Sequence, residues 1–280
     1  MLENGFLANS ALLVVCYAYV LLVIAASGKL GSFFGVSRKL ARKFLHMMIG
    51  NLPFLIPFFT FNSFPMNFPF FVAAPFMLVT FLATPYSPMK GLSRKLRGLS
   101  GITGQGHQLG LVFYAVSYTV LAFFFAAKPY VIAAGILPMA YGDASASMVG
   151  ERYGRRRYRV LADKSLVGSA AMFAVSFLSL SVSLLYFHIF YSYALPGLLL
   201  AALGAAFVAT AAEGLTPLGF DNVTVPLLSA LSFLLLSGVA HLAADSDRWP
   251  GCLWKEYAGS SPLQVPVFRM QDRLRPLSPL

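Results

Sequence analysis

Charge is what this sequence has least of. Only 11% of its 280 residues are Asp, Glu, Lys or Arg, while 58% are hydrophobic. A soluble globular domain carries roughly 25% charged residues, so the composition excludes one. Cysteine is nearly missing as well. Cys16 and Cys252 are the two, one in a probable span and one in the tail. They exclude a disulfide framework and provide no metal-ligand spacing. Acids are scarce, 10 against 21 basic residues, for a net charge of +11. No basic leader precedes the first apolar run, where Glu3 is the single charged side chain. That run is too long for a signal-peptide core and reads as a retained span.

What is present is hydrophobic runs, at 6–26, 44–61, 68–84, 109–126, 129–148, 166–186, 194–212 and 223–243. At about 20 residues per crossing, they predict an all-α, polytopic transmembrane helix bundle of about eight spans, within a range of seven to nine. The connections then alternate sides. On one side fall 27–43, with Lys29, Arg38, Lys39, Arg42 and Lys43; 85–108, with Lys90, Arg94, Lys95 and Arg97; 149–165, with Arg152, Arg155, Arg156, Arg157, Arg159 and Lys164; and 213–222. The other side carries only Lys128. The positive-inside rule makes the rich side cytoplasmic and places both termini opposite. The basic excess is thus explained by topology and by anionic lipid or nucleotide, with no nucleic-acid partner implied. Residues 1–243 read as one transmembrane catalytic domain. The tail 244–280, with Trp249, Trp254 and several prolines, reads as interfacial or disordered.

The chemistry follows from where the acids fall. Between the N-terminus and the tail there are five: Asp143, Glu151, Asp163, Glu213 and Asp221. All five lie on the cytoplasmic side. Asp143 sits within or at the end of a span, where an acid costs about 2.5–3.5 kcal/mol at mid-bilayer and is functional by default. A continuing helix sets Asp143, Ser147 and Glu151 on one face. Gly142, Ala146 and Gly150 form a neighbouring small-residue face suited to close packing. A plain helix end with a solvated Glu151 is the bland alternative.

Arg155, Arg156, Arg157, Arg159 and Lys164 follow closely. Arginine forks and lysine neutralise phosphates, although basic residues at a cytoplasmic end also follow from topology alone. Lys164-Ser165 precedes a helix, and a lysine beside free helical N–H groups is a good phosphate site. The segment from Glu213 to Asn222 has two acids, an Asn and no basic residue. It suits a hard cation such as Mg²⁺, or is a simple Gly/Pro turn. Arg42, Lys43 and His46 come together by helical spacing to hold a phosphate, or to let His46 take a proton; a packed interfacial histidine is the alternative. The glycine-rich stretch Gly101 to Gly110 lacks the lysine of a P-loop; it is a site-lining loop or a linker. His188 and His241 are assigned no role.

Taken in order, these residues are familiar. Arg42-Lys43-x-x-His46, Gly142-Asp143-x-x-Ala146, Gly150-x3-Gly154, Lys164-Ser165-x2-Gly168, Glu213, and Asp221-Asn222 with Pro226 resemble the dolichol kinase/phytol kinase family over residues 38–235. The CTP-dependent diacylglycerol kinases of fungi belong with that family. The resemblance implies CTP as phosphoryl donor, a divalent metal and a membrane isoprenoid alcohol. It implies Asp143, Lys164, Glu213 and Asp221 as catalytic, with Asp143, Glu213 and Asp221 around Mg²⁺. Arg155, Arg156, Arg157, Lys164, Ser165 and Gly150 would bind nucleotide, and Arg42, Lys43, His46 and Asn222 would wall the phosphate site. Phosphatidate cytidylyltransferases look similar around Gly142-Asp143 and Lys164. They end in a Lys-Asp…Asp-Arg signature where this chain has Glu213 and Asp221-Asn222, which favours the kinase. A transporter would place charge near the midplane in broken helices, and these spans hold almost none.

Overall fold

The computed structural model describes residues 2–33, 37–63, 65–91, 109–159, 163–217 and 219–246. The glycine-rich residues 101–108, the cations Arg94, Lys95 and Arg97, and tail residues 247–280 lie outside the described residues. Nine α-helices appear among those described: α1 Leu2–Phe33, α2 Arg38–Ile49, α3 Phe68–Leu82, α4 Gly110–Phe125, α5 Pro129–Leu137, α6 Asp143–Tyr153, α7 Leu166–Phe187, α8 Leu195–Leu215 and α9 Asp221–Ser246. Two short antiparallel hairpins interrupt them. One pairs β1 Asn62–Ser63 with β2 Met66–Asn67, the other β3 Arg157–Arg159 with β4 Asp163–Ser165. Met1–Leu242 forms one compact unit and Ala243–Leu280 another, of which only the last turn of α9 is described.

The all-α class stands. Four helices are long and apolar enough to cross a membrane: Asn4–Leu30, Leu166–Phe187, Leu195–Leu215 and Asp221–Gly238. Phe68–Leu82 and Gly110–Phe125 are apolar but shorter. The expected span at 44–61 is not one helix. α2 ends at Ile49, and a 3₁₀ turn, Leu52–Phe58, replaces the α-helix beyond it. Pro53 and Pro57 remove the N–H groups that an α-helix needs there. The run at 129–148 does continue, to Tyr153, through a π-turn at Pro138–Gly142 between α5 and α6. Such turns insert an extra residue per hydrogen-bonded ring and recur at functional sites. Asp143 is the residue that closes this one, its N–H bonding to Pro138 O.

α5 is the axis of the bundle. Val131, Ile132, Ala133, Ala134, Ile136 and Leu137 are all buried, so a helix apolar all round lies where no lipid or water reaches it. Small residues bring its neighbours close. A Cβ on Gly135 would stand 2.6 Å from Pro226 O of α9. Pro226 has no N–H to offer the carbonyl of Asn222 one turn back. Ser117 of α4 serves instead, donating to Asn222 O at 2.8 Å. Ser229 of α9 donates to Ala134 O at 2.6 Å. The small-residue face of α6 packs on α7: a Cβ on Gly168 would meet Ala146 O at 2.9 Å and Gly150 Cα at 3.3 Å. At the other end of α1, Asn9 ties the chain after the 3₁₀ turn, its Oδ1 accepting from Thr60 N at 3.0 Å and Phe61 N at 3.2 Å.

Candidate active site

The ends of α2, α6, α7, α8 and α9 and the β3–β4 hairpin enclose a cavity of about 290 Å³. Its walls carry five basic side chains, Lys39, Arg42, Lys43, Arg157 and Lys164, and four acids, Asp143, Glu151, Glu213 and Asp221. Each was brought there by local structure. Ser37 caps α2, accepting from Leu40 N, and the following turns project Lys39, Arg42, Lys43 and His46 from adjoining faces. The π-turn delivers Asp143 at the head of α6. Ser165 caps α7, its Oγ accepting from Gly168 N at 3.0 Å, which sets Lys164 one residue ahead of the helix. Gly219, at φ 96°, makes the left-handed turn before α9, and Asp221 and Asn222 open that helix.

Three lysine–carboxylate pairs stitch these elements together. Lys43 pairs with Asp143, Lys164 with Glu213, and Lys39 with Glu151. The first two are largely buried; in the third both side chains are more than half exposed. Lys43 also donates to Asp143 O at 3.3 Å. Ser147 donates to Glu151 at 3.0 Å, consistent with one face for Asp143, Ser147 and Glu151. The Lys39 hydrogen bond holds the Glu151 carboxyl below its usual range, against a smaller opposing effect of burial, with Ser147 adding to it. Burial works against the Lys164 ammonium. The Glu213 carboxylate, and behind it Asp143 and Asp221, outweigh that and hold Lys164 above the ordinary lysine value.

After this pairing, three charged groups of the cavity wall form no ion pair among the described residues: Arg42, Arg157 and Asp221. Asp221 Oδ1 accepts instead from Asn222 N at 2.9 Å and Asn222 Nδ2 at 3.0 Å. Among the described residues Asn222 Oδ1 is buried and has no partner, and neither ring nitrogen of the buried His46 has one. The His46 ring stacks on Tyr114, with centroids 4.8 Å apart and planes 14° from parallel. A buried polar atom with no partner is costly, so these atoms mark where a polar ligand would be welcome.

The sequence-predicted residues are thereby located. Arg42, Lys43, His46, Asp143, Gly150, Arg157, Lys164, Ser165, Glu213, Asp221 and Asn222 all line the one cavity. Arg155 and Arg156 do not; they are exposed at the turn into β3. The three acids named for a metal do not form a ligand cluster. Among the described residues no three His, Cys, Asp or Glu side chains are grouped to hold one, and Asp143 and Glu213 are engaged by lysines. Lys39, Ser169 and Tyr114 are lining or supporting residues that the sequence reading missed. Lys39 carried a signal, its place one turn before Lys43. Ser169 and Tyr114 look like any residue of an apolar helix.

Fold and site define a helical membrane protein whose charged side chains from distant segments meet in one cavity. Comparison with known proteins agrees. The chain is 39% identical over 145 residues to a phytol kinase of Synechocystis, covering 50% of this chain and 60% of that protein. It is 30% identical over 224 residues to a probable chloroplastic phytol kinase of Triticum aestivum, covering 74% and 70%. A CTP-dependent diacylglycerol kinase of Eremothecium gossypii is 33% identical over 136 residues, covering 44% and 42%. The chain belongs to the phytol kinase family of lipid-alcohol kinases. No family model and no solved structure matches it.

Proposed function

We propose that this protein transfers the γ-phosphoryl group of CTP to the hydroxyl of a membrane isoprenoid alcohol of the polyprenol, dolichol or phytol type. The observation that carries the proposal is the cavity itself: two unpaired arginines, an unpaired aspartate and two buried unsatisfied side chains beside three lysine–acid pairs. Phosphoryl transfer asks a protein for positioning and charge neutralisation more than for covalent chemistry. Arg42 and Arg157 hold the triphosphate through their planar forks, with Lys43 and Lys164 alongside. One of Asp143, Glu213 and Asp221 accepts the proton as the alcohol oxygen bonds to the γ-phosphorus. The bond from that phosphorus to the β-bridging oxygen breaks, and CDP leaves.

A magnesium ion fits this donor set. Asp221 is free of lysine and Asn222 Oδ1 lacks a partner beside it. Mg²⁺ is ordinarily bound by one or two carboxylates plus substrate phosphates and water, so a three-acid cluster is not required. When bound, it neutralises charge on the phosphate oxygens. The bundle is read as eight-spanning, with the cavity on the cytoplasmic side and both termini opposite, following the distribution of basic residues. Residues 1–243 form its catalytic domain.

Purified protein in detergent, given CTP labelled in the α or the γ position with a panel of phytol, farnesol, dolichol and diacylglycerol, tests the reading. Label from the γ position alone in the lipid, with CDP released, supports it. Label from the α position, with pyrophosphate released, identifies a cytidylyltransferase. Transfer to diacylglycerol and to no prenol reassigns the acceptor.

A further inference from the structure

A lipid alcohol brings a long hydrocarbon chain as well as a hydroxyl, and a cavity walled by nine charged side chains is a costly place to leave such a chain. Two apolar spaces adjoin it. The first lies between α1, α2, α3 and α4, against Leu45, Leu111 and Tyr114. It measures about 40 Å³, enough for roughly three water molecules at ~10–15 Å³ each. The second is a groove between α7 and α8 of about 580 Å³, within the range of about 300–1,000 Å³ typical of ligand pockets. Size decides between them.

Building on the lipid-kinase reading above, we propose that the α7–α8 groove beneath Tyr158 is the binding site for the hydrocarbon chain of the lipid acceptor. Ala170 and Phe173 form one wall; Phe207, Ala211 and Gly214 form the other. The α8 residues recur at helical spacing, so a single face of that helix lines the groove. Both helices belong to the set long and apolar enough to cross a membrane, so the groove runs along bilayer-facing surface and a lipid enters it from the side. Phe207 is 67% exposed, which leaves that side open.

The groove and the charged cavity share one wall residue. Ser169 lines both. The Tyr158 and Ser169 hydroxyls bond to each other at 2.7 Å, the polar pair at the head of an otherwise apolar channel. Tyr158 lies directly opposite Lys164 in the β3–β4 ladder, so one strand pair serves both spaces. Lys164 reaches Glu213 in the cavity while Tyr158 caps the groove. α8 repeats the arrangement with consecutive residues, Glu213 in the cavity and Gly214 on the groove floor. A Cβ on Gly214 would stand 2.9 Å from the Tyr158 hydroxyl oxygen, so glycine is what lets the tyrosine close over that floor. A chain lying in the groove therefore presents its hydroxyl at Ser169, beside the lysine and acids of the cavity.

The test uses the full chain in phosphatidylcholine nanodiscs and farnesol carrying a diazirine on its tail. Photolysis followed by peptide mapping is expected to place adducts on Phe173 and Phe207, and excess farnesol should suppress them. Ala211→Phe, at an exposed position, fills the groove. It should raise KM for farnesol by about tenfold while leaving kcat and the KM for CTP unchanged, the pattern of lost uniform binding. Suppressible adducts on α2 or α4 instead, labelling spread evenly over the lipid-facing helices, or an unaltered farnesol KM in Ala211→Phe would overturn the proposal. Should the unmodified protein phosphorylate no alcohol, the kinase reading fails, and the suppressible adducts still decide the groove by themselves.

Discussion

Lys43 on α2 and Asp143 at the head of α6, 100 residues apart in sequence, form a buried ion pair that closes one side of the cavity. Breaking a buried pair by removing one member leaves an uncompensated charge and costs about 3–5 kcal/mol, whereas replacing both members with apolar groups is close to neutral. Lys43→Met and Asp143→Leu should each lower unfolding stability by about that amount. The double substitution should recover most of the loss and still show no turnover. Thermal unfolding in detergent measures the cycle. Simple additivity of the two losses would show that the pair is not coupled as described.

The second pair predicts an alkaline transition. Lys164 is held above its ordinary value because the Glu213 carboxylate and its neighbours outweigh burial. Its contribution to stability is therefore full below the unfolded lysine value of about 10.4 and is lost as pH rises through the higher folded value. Melting temperature followed into the alkaline range should fall there. Lys164→Met should flatten that part of the profile.

Arginines that look alike in sequence should behave differently. Arg42 and Arg157 line the cavity and have no acid partner among the described residues, while Arg155 and Arg156 are exposed outside it. A hydrogen bond to a charged group is worth about 1.5–3 kcal/mol. Arg42→Ala and Arg157→Ala should raise KM for CTP by about tenfold or more, and Arg155→Ala and Arg156→Ala should leave it near the unmodified value. Initial rates against CTP at saturating lipid distinguish the two groups.

Close packing of α6 on α7 holds Asp143 and Lys164 in one site. A side chain at Gly168 would press on Ala146 O at 2.9 Å and on Ser165 Oγ at 2.8 Å, disturbing both the helix contact and the cap of α7. Gly168→Ala should destabilise the protein by about 1–3 kcal/mol, the usual range for overpacking. Chemical denaturation monitored by tryptophan-independent circular dichroism gives the number, and a variant as stable as the parent would mean that the helices can part.

Much of the site was legible because the chain is so poor in charge. In a bundle of apolar helices, Asp143, Lys164, Glu213 and Asp221 can gather only where helices end, and the alternation of hydrophobic runs led to the expectation of those ends on one side. What pairing results was not legible: nothing local says that Lys43 engages Asp143 while Arg42, its neighbour, stays free. The β3–β4 hairpin was read as loop because its strands are three residues each, too short for the alternation in Arg157-Tyr158-Arg159 to register as a strand, and with it went the role of Tyr158. The run 44–61 was read from hydropathy as one helix, although Pro53 and Pro57 already argued for a break within it. The π-turn before Asp143 leaves no mark beyond Pro138, which helices tolerate in many settings. Grooves between α7 and α8 depend on which faces meet, and generic Ala and Phe do not announce that.

The most direct measurement of the central claim compares label transfer from γ-labelled CTP to phytol by the unmodified protein and by Asp143→Asn, both purified and checked for folding. The account predicts labelled phytyl monophosphate from the first and at least about 100-fold less from the second, the scale of a lost catalytic group. Lipid without γ-label from the unmodified protein, or equal transfer by Asp143→Asn, would contradict it.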